Sequence, residues 1–172
     1  WSLQTAYSTG SVGYQTVLAL DSNNKVHAIH YDRVNGDLLY TTDSSGSFST
    51  STADSSLVVS SLNVWPSIVL NSSDQAHVSF NDVVGSTATL KYATNPSGSW
   101  ATTTIDDTIS SVANITSLAL DSSGAVHIVY GTGAASQGLR HATNATSSWV
   151  TETILTGGGK YNSLAIDSSG KL

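Results

Sequence analysis

Cysteine is missing from all 172 residues of this sequence, so no disulfide braces the fold and no thiolate serves as nucleophile or metal ligand. Methionine is missing as well, even at position 1, which gives the expectation that the chain starts at a processing site or is an excerpt of something longer. Basic residues are scarce. Six Lys and Arg stand against twelve Asp and Glu, for a net charge of −6, and the six are scattered. Phosphate binding needs clustered cations, so no nucleic-acid partner is expected. No apolar run approaches the roughly 18–20 residues of a membrane span, and no membrane span is expected. Charged residues make up only 10% of the chain, which leaves Ser, Thr, Asn and Gly to supply its polarity. That mixture, cut by regular turn signals, suits β-structure and leaves little for helices.

What is present is a repeat. An alternating apolar run, a tight polar turn and a second alternating run with a histidine near its start recur at 17–31, 67–81 and 117–131, and in shortened form at 163–172. Asp21, Asn71, Asp121 and Asp167 head the turns at intervals of 50, 50 and 46 residues, and His27, His77 and His127 keep the spacing of 50. A fixed period of this length is the mark of a repeat architecture.

Each unit has four segments. The first is a short strand whose middle residue is small: Ala19, Val69, Ala119 and Ala165. The turn follows, with Asx and Gly chemistry suited to a hairpin. The second segment alternates strictly, placing Val26, Ala28 and His30 on one face and His27, Ile29 and Tyr31 on the other. A third strand repeats a leucine and a ring two residues apart, as Leu38 with Tyr40, Leu90 with Tyr92 and Leu139 with His141. The fourth is headed by Phe48, Trp100 and Trp149, and Trp1 opens a copy of it.

Four antiparallel strands in each unit of about 50 residues predict an all-β fold, a β-propeller of four-stranded blades with about three and a half blades in this chain. The expected division is a lone outer strand at 1–13, blades at 14–64, 65–113 and 114–160, and the first strand of an incomplete blade at 161–172. The aromatic residues heading the fourth strands are expected to pack between blades. Three blades and two stray strands do not close a ring of four to eight blades. Further blades are therefore expected as partners, from a longer chain or from other copies of this one.

Units of the form SLALDSSGxxHIxY, LxYAT and GxW resemble the extracellular propeller repeats of bacteria and archaea, the sialidase-like group with Asp-box motifs. The turn segments at 41–48 and 94–100 have the character and place of the Asp-box, with different internal spacing. A sialidase-like site, as that resemblance implies it, needs an arginine cluster, a Tyr/Glu nucleophile pair and an acid. This chain has only Arg33 and Arg140, and Glu152 is its sole glutamate. A polysaccharide lyase on the same fold would draw on His30, Tyr31 and Arg33.

The repeating histidines fall one to a blade and do not converge on an ion, so each is read as pinning its own hairpin. The Asp-headed turns offer one carboxylate apiece, fewer than calcium takes. No metal, cofactor or catalytic residue is expected. The segments after the second strand vary while the frame does not: 31–37, 81–86 and 131–137. Loops on a rigid frame concentrate function. Tyr31, Asp32, Arg33, Asn81, Asp82 and Arg140 are the candidate ligand-binding residues. Sequons at Asn71, Asn114 and Asn144 favour an exported chain, whereas Asn95 is followed by proline. The expected function is a non-catalytic extracellular or cell-surface module that binds a glycan or a protein, or a structural part of a surface assembly. The alternative is a carbohydrate-active enzyme, a sialidase-like hydrolase or a polysaccharide lyase.

Overall fold

A computed structural model describes residues 3–57, 65–109, 115–132 and 138–172. Twelve strands form three antiparallel sheets of four, each in simple sequence order. The first sheet contains β1 (Tyr14–Leu20), β2 (Val26–Asp32), β3 (Asp37–Thr42) and β4 (Ser49–Asp54). The second contains β5 (Ser67–Leu70), β6 (Ala76–Val84), β7 (Thr87–Thr94) and β8 (Ala101–Ile109). The third contains β9 (Thr116–Leu120), β10 (Val126–Gly131), β11 (Leu139–Thr143) and β12 (Val150–Leu155). Among the described residues there is no helix, hence none long and apolar enough to cross a membrane.

The turn between first and second strands has the same construction each time. The side-chain oxygen of Asp21, Asn71, Asp121 or Asp167 accepts the amides two and four residues on, at 2.8 to 3.0 Å. The chain reverses through a left-handed residue at Asn24, Asp74, Gly124 and Gly170, with φ from 59° to 83°. Asn, Asp and Gly are the residue types that enter this region at least cost.

Period-2 alternation then gives each sheet two apolar faces, and successive sheets bury them against one another. Ile29, Tyr31, Leu38 and Tyr40 of the first sheet share a cluster with Ile68, Val78, Phe80 and Ala93 of the second. Leu90, Tyr92 and Ile109 of the second share one with Leu118, Ile128, Tyr130 and Ala142 of the third. Trp100 sits edge-on to Tyr40 at 5.1 Å, and Trp149 is tilted on Tyr92 at 5.2 Å, so both indoles pack between sheets as expected. The first strands β5 and β9 are neighbours, the Leu118 amide donating to Ser67 Oγ at 3.2 Å, and the segment after β12 lies beside β9, the Leu164 amide donating to Ser117 Oγ at 2.9 Å.

The ends differ from expectation. Residues 3–13 form no strand, and Leu3 is 99% exposed; Trp1 and Ser2 lie outside the described residues. Residues 163–166 also form no strand, although the Asp167 turn beyond them is complete. The reason is common to both. A strand is defined by its ladder, and among the described residues neither segment forms one: Leu164 meets β9 through the Ser117 side chain, and Ser11 accepts a single amide, that of Arg33, at 3.0 Å.

Candidate functional site

At the outer edge of the first two sheets, β4 and the β7–β8 turn diverge and leave a groove of about 610 Å3. Residues 51–56 form one wall, and residues 98–100 with Thr102 form the other. The fourth strand supplies this surface because its sequence is Ser and Thr at nearly every position, with too little apolar surface to draw it inward. Hydroxyls therefore dominate the lining. Trp100 is the one large ring in the wall, fixed by its contact with Tyr40 and by its indole N–H donating to Ser51 Oγ at 3.2 Å.

One end of the groove is charged. Asp54 is buried, and its Oδ1 accepts the Ser56 amide at 2.7 Å and the Ser56 hydroxyl at 2.6 Å. Lys91 of the second sheet donates to Ser56 Oγ and to Asp82 Oδ2, both at 2.8 Å, and stands 3.9 Å from Asp54 Oδ2. One ammonium thus faces two carboxylates, and the cluster is net acceptor. Asp82 Oδ1 is buried with no partner among the described residues.

The same register at the second junction holds a stronger version. Asp106 takes the place of Asp54, Thr108 that of Ser56, Arg140 that of Lys91, and Tyr130 that of Phe80. Asp106 Oδ1 accepts the Thr108 amide at 2.9 Å and its hydroxyl at 2.6 Å. Its Oδ2 accepts the Tyr130 hydroxyl at 2.7 Å and Arg140 Nη1 at 2.5 Å. Burial works against ionisation of Asp106, yet the Thr108 and Tyr130 hydroxyls, the Thr108 amide and the Arg140 charge hold its carboxyl below the ordinary range. Burial, reinforced by the adjacent carboxylate, raises the Tyr130 phenol above its usual value.

The six loop candidates do not form one surface. Tyr31 is fully buried in the core between the first two sheets, and Asp32 is 3% exposed. Asp32 is occupied in closing its own turn, accepting the Val34 amide at 2.9 Å and the Asn35 side chain at 2.7 Å. Arg33 lies over the Tyr14 ring at 5.8 Å, away from the groove. Asn81 is 1% exposed. Asp82 and Arg140 do reach the two charged clusters, one at each junction. Residues 133–137 of the third loop, and the sequon at Asn114, lie outside the described residues. A lyase-type trio is not assembled, because alternation along β2 puts His30 and Tyr31 on opposite faces.

Asp54, Lys91, Trp100 and Asp106 were the groups missed. Their signal is the repeat itself: Lys91 and Arg140 stand between the leucine and ring of the third strand, and Asp54 and Asp106 lie two residues before a hydroxyl. The repeating histidines bind their own hairpins. His27 and His77 share hydrogen bonds with the hydroxyls of Tyr40 and Tyr92, and His127 meets His141 Nε2 at 3.0 Å.

No family model matches the chain, and no curated protein matches it. Among solved structures, a fucose lectin from Kordia zhangzhouensis in complex with methyl-fucoside superposes with a TM-score of 0.56 at 17% sequence identity. The superposition covers 82% of this chain and 99% of that one. At that identity the likeness is one of fold: an all-β arrangement of antiparallel sheets.

Proposed function

We propose that this chain is a non-catalytic glycan-binding module, and that the groove between the first two sheets is its ligand site. The observation that carries the reading is the composition of that groove, with hydroxyls along both walls, one indole, and an acceptor-rich cluster at one end. Sugars present many hydroxyls and an apolar C–H face. Asp54 Oδ2 accepts hydroxyl hydrogens, the Ser and Thr side chains donate and accept, and Trp100 supplies an apolar edge. The name of the Kordia protein, a lectin bound to methyl-fucoside, supports the same class of ligand.

The architecture we infer is a segment of a β-propeller of the sialidase-like repeat type. Supporting it are first strands set side by side, the same sheet face meeting the next sheet at both junctions, and fourth strands outermost. Glycans of this kind are met outside the cell or at its surface, and we place the module there.

The test is a glycan array followed by calorimetry on the strongest binder, with methyl-fucoside included. Asp54→Asn should weaken binding at least about tenfold, because a hydrogen bond to a charged group contributes about 1.5–3 kcal/mol. Thr102→Trp should block the groove altogether. Equal binding by both variants would remove the groove from consideration. Turnover of a bound glycan would replace the binding module with an enzyme.

A further inference from the structure

The third sheet departs from the repeat at its histidine. In the first two sheets His27 and His77 bond the hydroxyls of Tyr40 and Tyr92. In the third, His141 holds the place of those tyrosines, and Glu152 holds the place of Ser51 and Thr103. The two changes lengthen a pair into a line of four groups. Asp121 Oδ2 stands 3.5 Å from His127 Nε2, His127 Nδ1 lies 3.0 Å from His141 Nε2, and His141 Nδ1 lies 2.9 Å from Glu152 Oε1. The imidazole planes are 7° apart, where the His–Tyr rings are tilted by 55° and 42°. Ring centres 5.2 Å apart are near the widest separation that a 3.0 Å nitrogen contact allows. The rings therefore lie edge to edge, with the contact in both planes, along the line of a lone pair and an N–H bond.

The hydrogens in this line can be counted. Each of its three contacts takes one hydrogen, and an ionised carboxylate brings none. Two neutral imidazoles bring two, which leaves one contact with lone pair facing lone pair. A third hydrogen fills every contact and gives the ring pair a single positive charge between two negative ones. A fourth has no place, because it would set N–H against N–H between the rings. The first sheet differs. There the phenol brings a hydrogen of its own, so a neutral His27 fills both of its contacts.

Few other charges bear on the pair. The Ser123 hydroxyl and then the Ala125 amide hold the Asp121 carboxyl down at about 2, so it stays a charged acceptor. β9 carries no titratable side chain, and Tyr130 of β10 and Arg140 of β11 are both bound to Asp106 at the second junction. Beyond β12, Lys160, Tyr161, Asp167 and Lys171 are exposed, and Asp167 closes its own turn. The Glu152 side chain is 72% exposed. With His141 it lines a hollow of about 270 Å3, so water reaches the line from that end.

We propose that His127 and His141 form a proton-binding site that takes up one proton for the two rings and holds it between Asp121 and Glu152. Two separate imidazoles take up two protons as pH falls past about 6.5. This pair takes one, and the third sheet thereby carries a one-charge pH switch that the first two sheets lack. The switch does not depend on the glycan reading of the groove.

The intact chain, labelled with 15N, is followed by imidazole NMR from about pH 8 to about pH 5, the range that spans free histidine. The ring shifts of His127 and His141 should move in one common step, and their sum should be that of a single imidazole gaining one proton. A scalar coupling between His127 Nδ1 and His141 Nε2 should report the hydrogen they share. Glu152→Gln, at an exposed position, brings an amide hydrogen of its own and removes a charge. It should move the step to lower pH by about one unit. His141→Tyr, which installs the ring of the other two sheets, should keep the fold by circular dichroism and abolish both the coupling and the common step. Three results would overturn the proposal: two full steps that leave two protons on the rings by about pH 5, no coupling between the two nitrogens at about pH 6, or an unmoved step in Glu152→Gln.

Discussion

Replacing Asp106 with alanine should destabilise the chain well beyond the loss of one small side chain. Asp106 is 6% exposed, and its two oxygens satisfy the amide and hydroxyl of Thr108, the hydroxyl of Tyr130 and the guanidinium of Arg140. Truncation strands all of these donors at a sheet junction. Breaking a buried ion pair from one side costs about 3–5 kcal/mol, and partial water access to Arg140 sets the expectation near the lower limit, about 3 kcal/mol. A domain's whole stability is only about 5–15 kcal/mol, so the effect is large. The pH dependence gives a second, independent signature. The folded-state carboxyl is held below its ordinary range, so its stabilisation is complete above the unfolded value of about 3.9 and is lost as pH falls through the lower folded value. Urea unfolding of the wild type and Asp106→Ala should show the full gap at pH 7 and pH 5, shrinking below about pH 4. Other carboxylates lose stabilisation in the same acid range, which is why the difference between the two proteins is the quantity to follow. Arg140→Met should cost less, since Asp106 keeps three of its donors. A gap under about 1 kcal/mol at pH 7, or one unchanged at pH 3, would refute the reasoning.

His77 is desolvated and lacks the turn carboxylate that faces His27 and His127, because Asn71 stands in that place; its imidazole is lowered by burial. The folded state therefore resists the proton that the unfolded state accepts, and stability contributed by neutral His77 is lost as pH falls below about 6.5. NMR titration should place its midpoint below that value, and a midpoint above it would contradict the burial argument. Trp149→Ala removes a half-buried indole from Tyr92 and should cost about 2–3 kcal/mol, less than the 3–5 for full burial, by urea midpoint. Gly138 adopts φ of 87°, and a Cβ there would lie 1.8 Å from the Leu155 carbonyl oxygen. Gly138→Ala should thus fold poorly, whereas Gly124→Ala, equally left-handed but with open space around it, should cost only about 1–2 kcal/mol by thermal melt.

The sheets were readable because strand alternation and turn chemistry are local. A turn of Asp-Ser-Ser-Gly followed by Val-His-Ile-Val-Tyr determines hairpin, register and buried face without reference to anything distant. The end segments carry no ladder for the converse reason. Residues 163–166 have the right pattern for a strand, but a strand is a property of a pair, and the pattern does not carry its partner. Three of the loop candidates, Tyr31, Asp32 and Asn81, are buried. Tyr31 and Asp32 stand beside a variable loop in sequence, yet alternation turns Tyr31 into the core, and the tight turn occupies Asp32. The groove was illegible residue by residue, because its walls come from different units and its polar groups are ordinary serines and threonines. It becomes visible only when units are superposed and compared position by position.

That comparison also separates the two junctions. Where Tyr130 and Arg140 meet Asp106, every carboxylate oxygen is spent within the protein, and the pair locks one sheet to the next. Where the same positions read Phe80 and Lys91, the ring has no hydroxyl to give. The shorter ammonium, without a second nitrogen to reach outward, turns to Asp82 and stays 3.9 Å from Asp54. Asp54, a residue of the groove wall, keeps Lys91 as its charged partner among the described residues at 3.9 Å from Oδ2. Differences at four positions, Phe80 for Tyr130, Lys91 for Arg140, Asp82 for Thr132 and Ser56 for Thr108, thus separate the first junction from the lock at the second. Phe80→Tyr with Lys91→Arg should therefore close the first junction in the manner of the second, raising stability while lowering affinity for any hydroxyl-rich ligand bound there. If the double variant gained stability and kept its full affinity, Asp54 would not be the acceptor.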